Sequence, residues 1–233
     1  MHNPATDGAA WDDFYRQLGR AVLASRAPRD DDAYFQTGEH EFRAIADAFN
    51  VPTGGTLLEI GCGDGRMTRT FVNMYRKVYA LDTAGTVLQA CRRTLAGYSH
   101  VQFLHGGPEI LDLMPAGSVD VVLSTAVFQH VGEAATILSY IEHAARLLTP
   151  DGAAVLQLRN PRRLTLVRDV LLDVVRTARN SPMPAFHPNY RGARITKADA
   201  RGAADVDNRL RLVDWSPRGH HAWLVIHTTG RTA

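Results

Sequence analysis

The residues best suited to chemistry lie in one short stretch, Thr56 to Phe71, which reads TLLEIGCGDGRMTRTF. An apolar run leads into glycines at 61, 63 and 65, and a helical pattern follows. Glycine tolerates the left-handed backbone and, having no Cβ, lets a ligand come close to the main chain. A helix that begins just after such a turn offers N–H groups to a polar or anionic ligand atom. Strand, turn and helix together predict a ligand cradle. It is not a dinucleotide fingerprint, which needs glycine where the chain has Arg66. It is not a P-loop either, because no Gly-Lys-Ser/Thr follows. Glu59 and Asp64, in or beside the turn, would repel a pyrophosphate and suit a ligand with positive charge, such as an amine or a sulfonium.

A third acid, Asp82, closes the run Val78-Tyr79-Ala80-Leu81. In a doubly wound sheet the end of the second strand lies beside the first turn at the carboxyl edge, where an acid accepts hydrogen bonds from ribose hydroxyls. The expected ligand therefore contains a nucleoside. A cationic amino acid joined to a nucleoside describes S-adenosyl-L-methionine.

These residues need a scaffold, and the chain supplies one by alternation. Short β-branched runs at Thr56–Ile60, Lys77–Leu81, Val101–Leu104, Val119–Ser124 and Ala153–Leu158 are separated by helical stretches at Arg66–Met74, Ala84–Leu95 and Glu133–Leu148. This is the pattern of a mainly parallel sheet covered on both faces. Pro150-Asp151-Gly152 reads as the turn into the fifth strand. Arg209–Trp215 and His221–Thr228 alternate as strands about a Ser216–Gly219 turn and give a closing hairpin. Before the sheet, Trp11–Ala24 and Tyr34–Asn50 carry helical apolar spacing. The expected organisation is an N-terminal helical cap over residues 1–50 and an α/β domain over 51–233. That domain is a Rossmann-like, seven-stranded, mostly parallel sheet with an antiparallel C-terminal edge hairpin. An inserted lid is expected at about residues 160–208, where an amphipathic stretch, Arg162–Arg179, precedes the Pro-rich, basic Ser181–Arg194.

Composition narrows the classes. The chain has 233 residues, 45% of them hydrophobic, enough for one sizeable core. With 26 Lys+Arg against 24 Asp+Glu, it lacks the strong basic excess of a general nucleic-acid binder. Its two cysteines, Cys62 and Cys91, make neither a disulfide framework nor a four-ligand zinc site. No metal is expected. No secretory leader or long apolar span is apparent, so a reducing cytoplasm with no membrane contact is the expected location.

With these motifs in place, the sequence resembles the class I S-adenosylmethionine-dependent methyltransferases of small-molecule type over roughly residues 50 to 160. The resemblance rests on Leu58-Glu59-Ile60-Gly61-Cys62-Gly63-Asp64-Gly65, on Asp82, on Ser118–Ser124, and on Leu147-Leu148-Thr149-Pro150-Asp151-Gly152. It implies that the backbone of Gly61, Cys62, Gly63 and Gly65 wraps the methionine moiety, with Glu59 and Asp64 helping through water or the amino group. Asp82 would hold the ribose and Thr83 border the adenine, with Ser124 and Thr125 also at the cofactor. The family's Gly-Asp pair after the third strand is replaced here by Gly106-Gly107-Pro108-Glu109. Either Glu109 substitutes for the acid or only backbone groups at Gly107 and Pro108 meet the base. S-adenosyl-L-homocysteine would be the product.

On the acceptor side, Ser124-Thr125-Ala126-Val127-Phe128-Gln129-His130-Val131 follows the fourth strand, at the edge where the methyl group would be presented. Methyl transfer is an in-line displacement, so alignment dominates and a base is needed only if the acceptor still holds its proton. His130 is the nearest base; its bland reading is a histidine that orders the loop. Tyr34, Gln129, His187, Tyr190 and Arg191 are the substrate candidates, while Trp11, Phe14 and Phe35 read as core. Aromatics with arginines suit a planar or anionic small molecule. The expected reaction is methylation of an O or N atom of a small-molecule acceptor, a natural-product intermediate among the candidates, by a monomer or homodimer. Neither cysteine lies in a Pro-Cys context, and no Asn/Asp-Pro-Pro-aromatic motif follows the fourth strand, which argues against nucleic-acid base methylation. The competing readings are an RNA or protein methyltransferase, supported by the basic Arg159–Arg163 stretch and Arg194, and a non-catalytic cofactor-binding regulator. A nicotinamide dehydrogenase stands last, opposed by Arg66, Glu59 and Asp64.

Overall fold

The structure, a computed structural model, describes residues 8–23, 30–159, 192–206, 211–218 and 221–228. Seven strands form one sheet: β1 (Gly54–Ile60), β2 (Tyr75–Asp82), β3 (Val101–His105), β4 (Val119–Ser124), β5 (Leu148–Arg159), β6 (Arg211–Arg218) and β7 (His221–Thr228). Their order is β3-β2-β1-β4-β5-β7-β6. The first five strands are mutually parallel, β7 pairs antiparallel with β5, and β6 pairs antiparallel with β7. Chain direction therefore reverses only at β7, and β6 at the edge points with the first five. The strand order switches between β1 and β4, and in open α/β sheets ligands bind beyond the carboxyl ends of the strands at that switch.

The central strands are apolar on both faces because both are covered. Leu58, Ile60, Val122 and Leu156 pack in one layer, and Leu57, Val78, Val121 and Val155 in the other. Alternate residues face opposite sides of a strand, so adjacent apolar pairs such as Leu57-Leu58 feed both layers. The first layer is closed by α5 (Ala134–Leu147) and α6 (Lys197–Ala204), and the second by α2 (Asp31–Phe49), α3 (Thr68–Phe71) and α4 (Gly85–Thr94). The remaining helix, α1 (Gly8–Leu18), continues into a 3-10 turn at Gly19–Val22 and packs on α4.

Several local expectations are corrected. The helix expected over Arg66–Met74 contracts to α3, and β2 starts at Tyr75. Pro150-Asp151-Gly152 is an irregularity inside β5. Val119 pairs with Leu148 and Val121 with Ala153, so Asp120 alone faces Thr149–Gly152. Asp120 compensates by accepting the Thr149 hydroxyl at 3.0 Å and the Thr56 amide at 2.7 Å. In the hairpin, Ser216–Arg218 belong to β6. Pro217 is tolerated there because β6 is an edge strand with no further neighbour for its missing N–H. Within the expected lid, α6 is a helix closed by a capping box in which Thr196 and Asp199 satisfy each other's backbone N–H. The rest of that insertion, 160–191 and 207–208, lies outside the described residues, including the expected Arg162–Arg179 helix. Among the described residues no helix is long and apolar enough to cross a membrane.

Candidate functional site

The glycine turn follows β1 with positive φ at Gly61 (77°), Gly63 (58°) and Gly65 (93°). A Cβ at Gly61 would stand 2.1 Å from Val127 Cγ2, so that position needs glycine for space as well as for conformation. The turn's N–H groups are mostly spent on the protein. Gly61 and Cys62 both donate to Leu81 O, at 2.7 and 3.0 Å, and Gly65 donates to Cys62 O at 3.1 Å. Gly63 donates to Asp82 Oδ2 at 2.9 Å. The expectation that a helix N-terminus presents free amides here is therefore corrected: α3 begins only at Thr68 and is a single turn.

The three acids have different surroundings. Asp82 accepts the amides of Gly63 and Ala84, the latter at 2.9 Å. Burial raises its pKa against the pull of those N–H groups. Glu59 is 6% exposed and accepts the Thr68 hydroxyl at 2.6 Å; burial pushes its carboxyl up to about 8. Asp64, 2% exposed, takes the Tyr34 hydroxyl at 2.8 Å and Arg20 Nε at 2.9 Å. Arg20 also pairs with Asp31 and lies over the Tyr34 ring, 4.5 Å from its centroid. The Asp64 side chain thus ties the two N-terminal helical segments to the glycine turn.

Beyond the strand ends lies a cavity of 540 Å³, within the range of about 300–1,000 Å³ usual for small-ligand sites. The fold brings Glu59, Gly61, Cys62, Gly63, Asp64, Asp82, Thr83, Gly107, Pro108, Glu109 and Thr125 to its wall, together with Tyr34, Gln129 and His130. Two expected residues do not line it. Gly65 backs onto the Cys91 thiol, and Ser124 is fully buried, its hydroxyl donating to Ile60 O at 3.1 Å to bridge β4 and β1. In the loop after β3, Gly107, Pro108 and Glu109 all line the cavity, and the Gly107 amide donates to Glu109 Oε1 at 2.7 Å. His187, Tyr190 and Arg191 lie outside the described residues.

At the other side, Thr125 donates to Met67 Sδ at 3.2 Å, and Ala126 adopts a φ of 58°, its amide held by Gln157 Oε1 at 2.7 Å. Gln129 Nε2 and His130 Nε2 are 3.0 Å apart, and Trp11 meets the His130 ring edge-on with centroids 5.4 Å apart. Chain returning at 192–193 braces this loop. Gly192 donates to Gln129 O at 2.5 Å and Ala193 to Val131 O at 2.7 Å, while Arg159 Nη1 donates to Gly192 O at 3.1 Å. Trp11, expected in the core, lines the cavity with Gly8 and Leu23, so the N-terminal segment forms its roof. Sequence reading also missed Arg66, Val127 and Tyr140 as lining residues. Arg66 served there only to exclude a motif, and Tyr140 sits in an apolar helical pattern with no signal of its own.

The sheet order, the glycine turn after β1 and the acid ending β2 are those of a class I S-adenosyl-L-methionine-dependent methyltransferase of Rossmann-like fold. Residues 58–156 match the methyltransferase domain family. The chain is 27% identical over 134 residues to a trans-aconitate 2-methyltransferase from Azoarcus sp., covering 55% of this chain and 50% of that one. It is 27% identical over 120 residues to a ubiquinone biosynthesis O-methyltransferase from Rhodopseudomonas palustris, covering 52% and 46%. The chain thus spans about half the length of the curated relatives it matches. Among solved structures, the phosphoethanolamine N-methyltransferase 1 of Haemonchus contortus, in complex with phosphoethanolamine and S-adenosylhomocysteine, superposes with a TM-score of 0.60 at 15% identity. That match covers 100% of this chain and 52% of that one. The cofactor of such methyltransferases is S-adenosyl-L-methionine, and a cavity walled by four acidic residues, Glu59, Asp64, Asp82 and Glu109, suits its cationic amino-acid end and its ribose.

Proposed function

We propose that this protein transfers a methyl group from S-adenosyl-L-methionine to an O or N atom of a small-molecule acceptor, natural-product intermediates being one candidate class. The observation that carries the reading is the roofed cavity at the sheet's switch point, with Glu59, Asp82 and Glu109 in one part of its wall and Trp11, Gln129 and His130 in another. The matched trans-aconitate and ubiquinone-pathway enzymes are named for small-molecule chemistry, which supports the acceptor class. The same reading puts the protein in the cytoplasm, a reducing compartment that suits the free thiols of Cys62 and Cys91.

When bound, the cofactor supplies a sulfonium methyl open to in-line attack. The protein's part is to bind, align and exclude water. Asp82, with each carboxylate oxygen steadied by one backbone N–H, keeps acceptor capacity for ribose hydroxyls. Glu59 stands at the turn where the amino group would lie. Residues 1–50 act as the cap, through Trp11, Leu23 and Tyr34. Gln129 Nε2 lies 3.0 Å from His130 Nε2 and Trp11 meets the ring edge-on, so the imidazole is held in place within the loop. His130 therefore serves first to order the acceptor loop.

Calorimetric titration with S-adenosylmethionine and S-adenosylhomocysteine tests the site. Asp82→Ala is expected to weaken binding by about 1–3 kcal/mol, the range for charged hydrogen bonds. An acceptor screen with labelled cofactor then tests the substrate class. Methyl transfer to RNA or protein alone would overturn the small-molecule reading.

A further inference from the structure

One wall of the cavity carries a polar group that the folded chain leaves unused. Tyr140, on α5, is 4% exposed, and its ring packs against Phe128 with centroids 5.4 Å apart. It lines the cavity, and no hydrogen bond to its hydroxyl is seen among the described residues; the hydroxyl oxygen is not among their fully buried unpaired atoms, so it opens onto the cavity. The other buried hydroxyls nearby are engaged: Tyr34 donates to Asp64, and Thr68 to Glu59. A buried tyrosine O–H normally finds a partner. Here the partner has to come from the cavity.

The surroundings say what kind. Burial first, and then the carboxylates of Asp82 and Glu109, hold the Tyr140 phenol well above the ordinary tyrosine range. The hydroxyl thus keeps its proton and can donate it. Asp82 and Glu109 offer only acceptors, Gly106, Gly107 and Pro108 carry no polar side chain, and the hydroxyls that line the cavity besides that of Tyr140 include those of Thr83 and Thr136. Adenine presents both kinds of edge, an amino group that donates and ring nitrogens that accept. A carboxylate satisfies the first and cannot satisfy the second.

We infer that Tyr140 is a cofactor-recognition residue whose hydroxyl donates to a ring nitrogen of the adenine, while Glu109 accepts from the exocyclic amine. The assignment rests on the cofactor reading above and deepens it. It gives α5 a part in reading the base, beside the loop after β3.

Tyr140→Phe removes the hydroxyl and keeps the packing. Calorimetry on the full chain with S-adenosylhomocysteine should show binding about three- to tenfold weaker than wild type, the loss of one hydrogen bond. Binding of S-ribosylhomocysteine, which has no base, should be unchanged in a competition assay. In the absence of ligand the variant should melt at or above the wild-type temperature, because no internal bond has been lost. Unchanged S-adenosylhomocysteine affinity would overturn the inference. Equal weakening of both ligands, or a lower melting temperature of the free protein, would make Tyr140 a packing residue and overturn it too. Failure of the wild type to bind S-adenosylhomocysteine would remove the cofactor reading itself, a result distinct from wild-type binding that ignores the substitution.

Discussion

Asp12 on α1 accepts the Thr86 amide of α4 at 2.6 Å. The N-cap residue of α4 itself, Ala84, makes no side-chain cap bond, so one helix supplies the cap that its neighbour lacks. The same helix brings Trp11 to the cavity, and Gly8 lies so close to β2's exit that a Cβ there would meet Thr83 O at 1.9 Å. The cap thus also sets the height of the roof. Replacing Asp12 with Ala should cost about 0.5–2 kcal/mol of stability, as N-cap losses do. It should also speed the release of S-adenosylhomocysteine. Equilibrium unfolding and stopped-flow dissociation measure the two effects, and wild-type behaviour in both would show that this bond does not hold the roof.

The Asp64 node predicts coupling. Asp64→Ala leaves the Tyr34 hydroxyl buried without its acceptor and strips Arg20 of one of its two carboxylates, so a loss of about 1–3 kcal/mol is expected. Tyr34→Phe alone should cost about 1 kcal/mol. In a double-mutant cycle the two should fall short of additivity, because both remove the same bond. Simple additivity in denaturant unfolding would separate the residues energetically.

Glu59 predicts a pH dependence with a definite sign. Its carboxyl titrates at 4.5 when unperturbed and at about 8 in the fold. Between those values the unfolded chain has lost the proton while the folded chain keeps it, so stability falls as pH rises through that window. Below it both states are protonated, and above it both are ionised. Glu59→Gln removes the slope, and its melting temperature should gain on wild type from acid to mildly alkaline buffer. A cationic ligand would also expel the proton. The S-adenosylmethionine binding enthalpy at neutral pH should therefore vary with the buffer's ionisation enthalpy in wild type and not in the variant. A gap in melting temperature that stays constant with pH would refute the assignment.

Gly61 is constrained twice, by φ 77° and by the Val127 side chain 2.1 Å from where a Cβ would sit. Gly61→Ala should cost more than about 1 kcal/mol, the floor for a non-glycine residue held in this region. S-adenosylhomocysteine affinity should fall with it, since the turn and the Val127 wall move together. The double variant with Val127→Ala relieves the contact but not the backbone strain, so it should recover only part of the loss. Full recovery in unfolding and titration would assign the whole cost to space.

What the chain spells out locally is the scaffold and the cofactor turn. Apolar runs at strand spacing, the glycines at 61, 63 and 65 and the acid at 82 are short-range signals, because backbone conformation and strand periodicity act within a few residues. They predict the parallel sheet and place Glu59, Gly61 and Asp82 at one edge. Only the tertiary structure decides which polar groups meet. Asp64 and Arg20 stand 44 residues apart in sequence, and Thr86 and Asp12 stand 74 apart; no local pattern records such a bond. The same holds for the spent amides of the turn, for Ser124 turned into the core, and for Tyr140. A helical apolar stripe gives its buried face and cannot say whether the far end of a long side chain touches protein or an open cavity. Pro150–Gly152 carries the strongest turn signal in its region, yet it becomes a bulge because the strands on either side keep pairing across it. Spacing sets what can form, and the hydrogen bonds that remain to be made after packing decide what each residue is for.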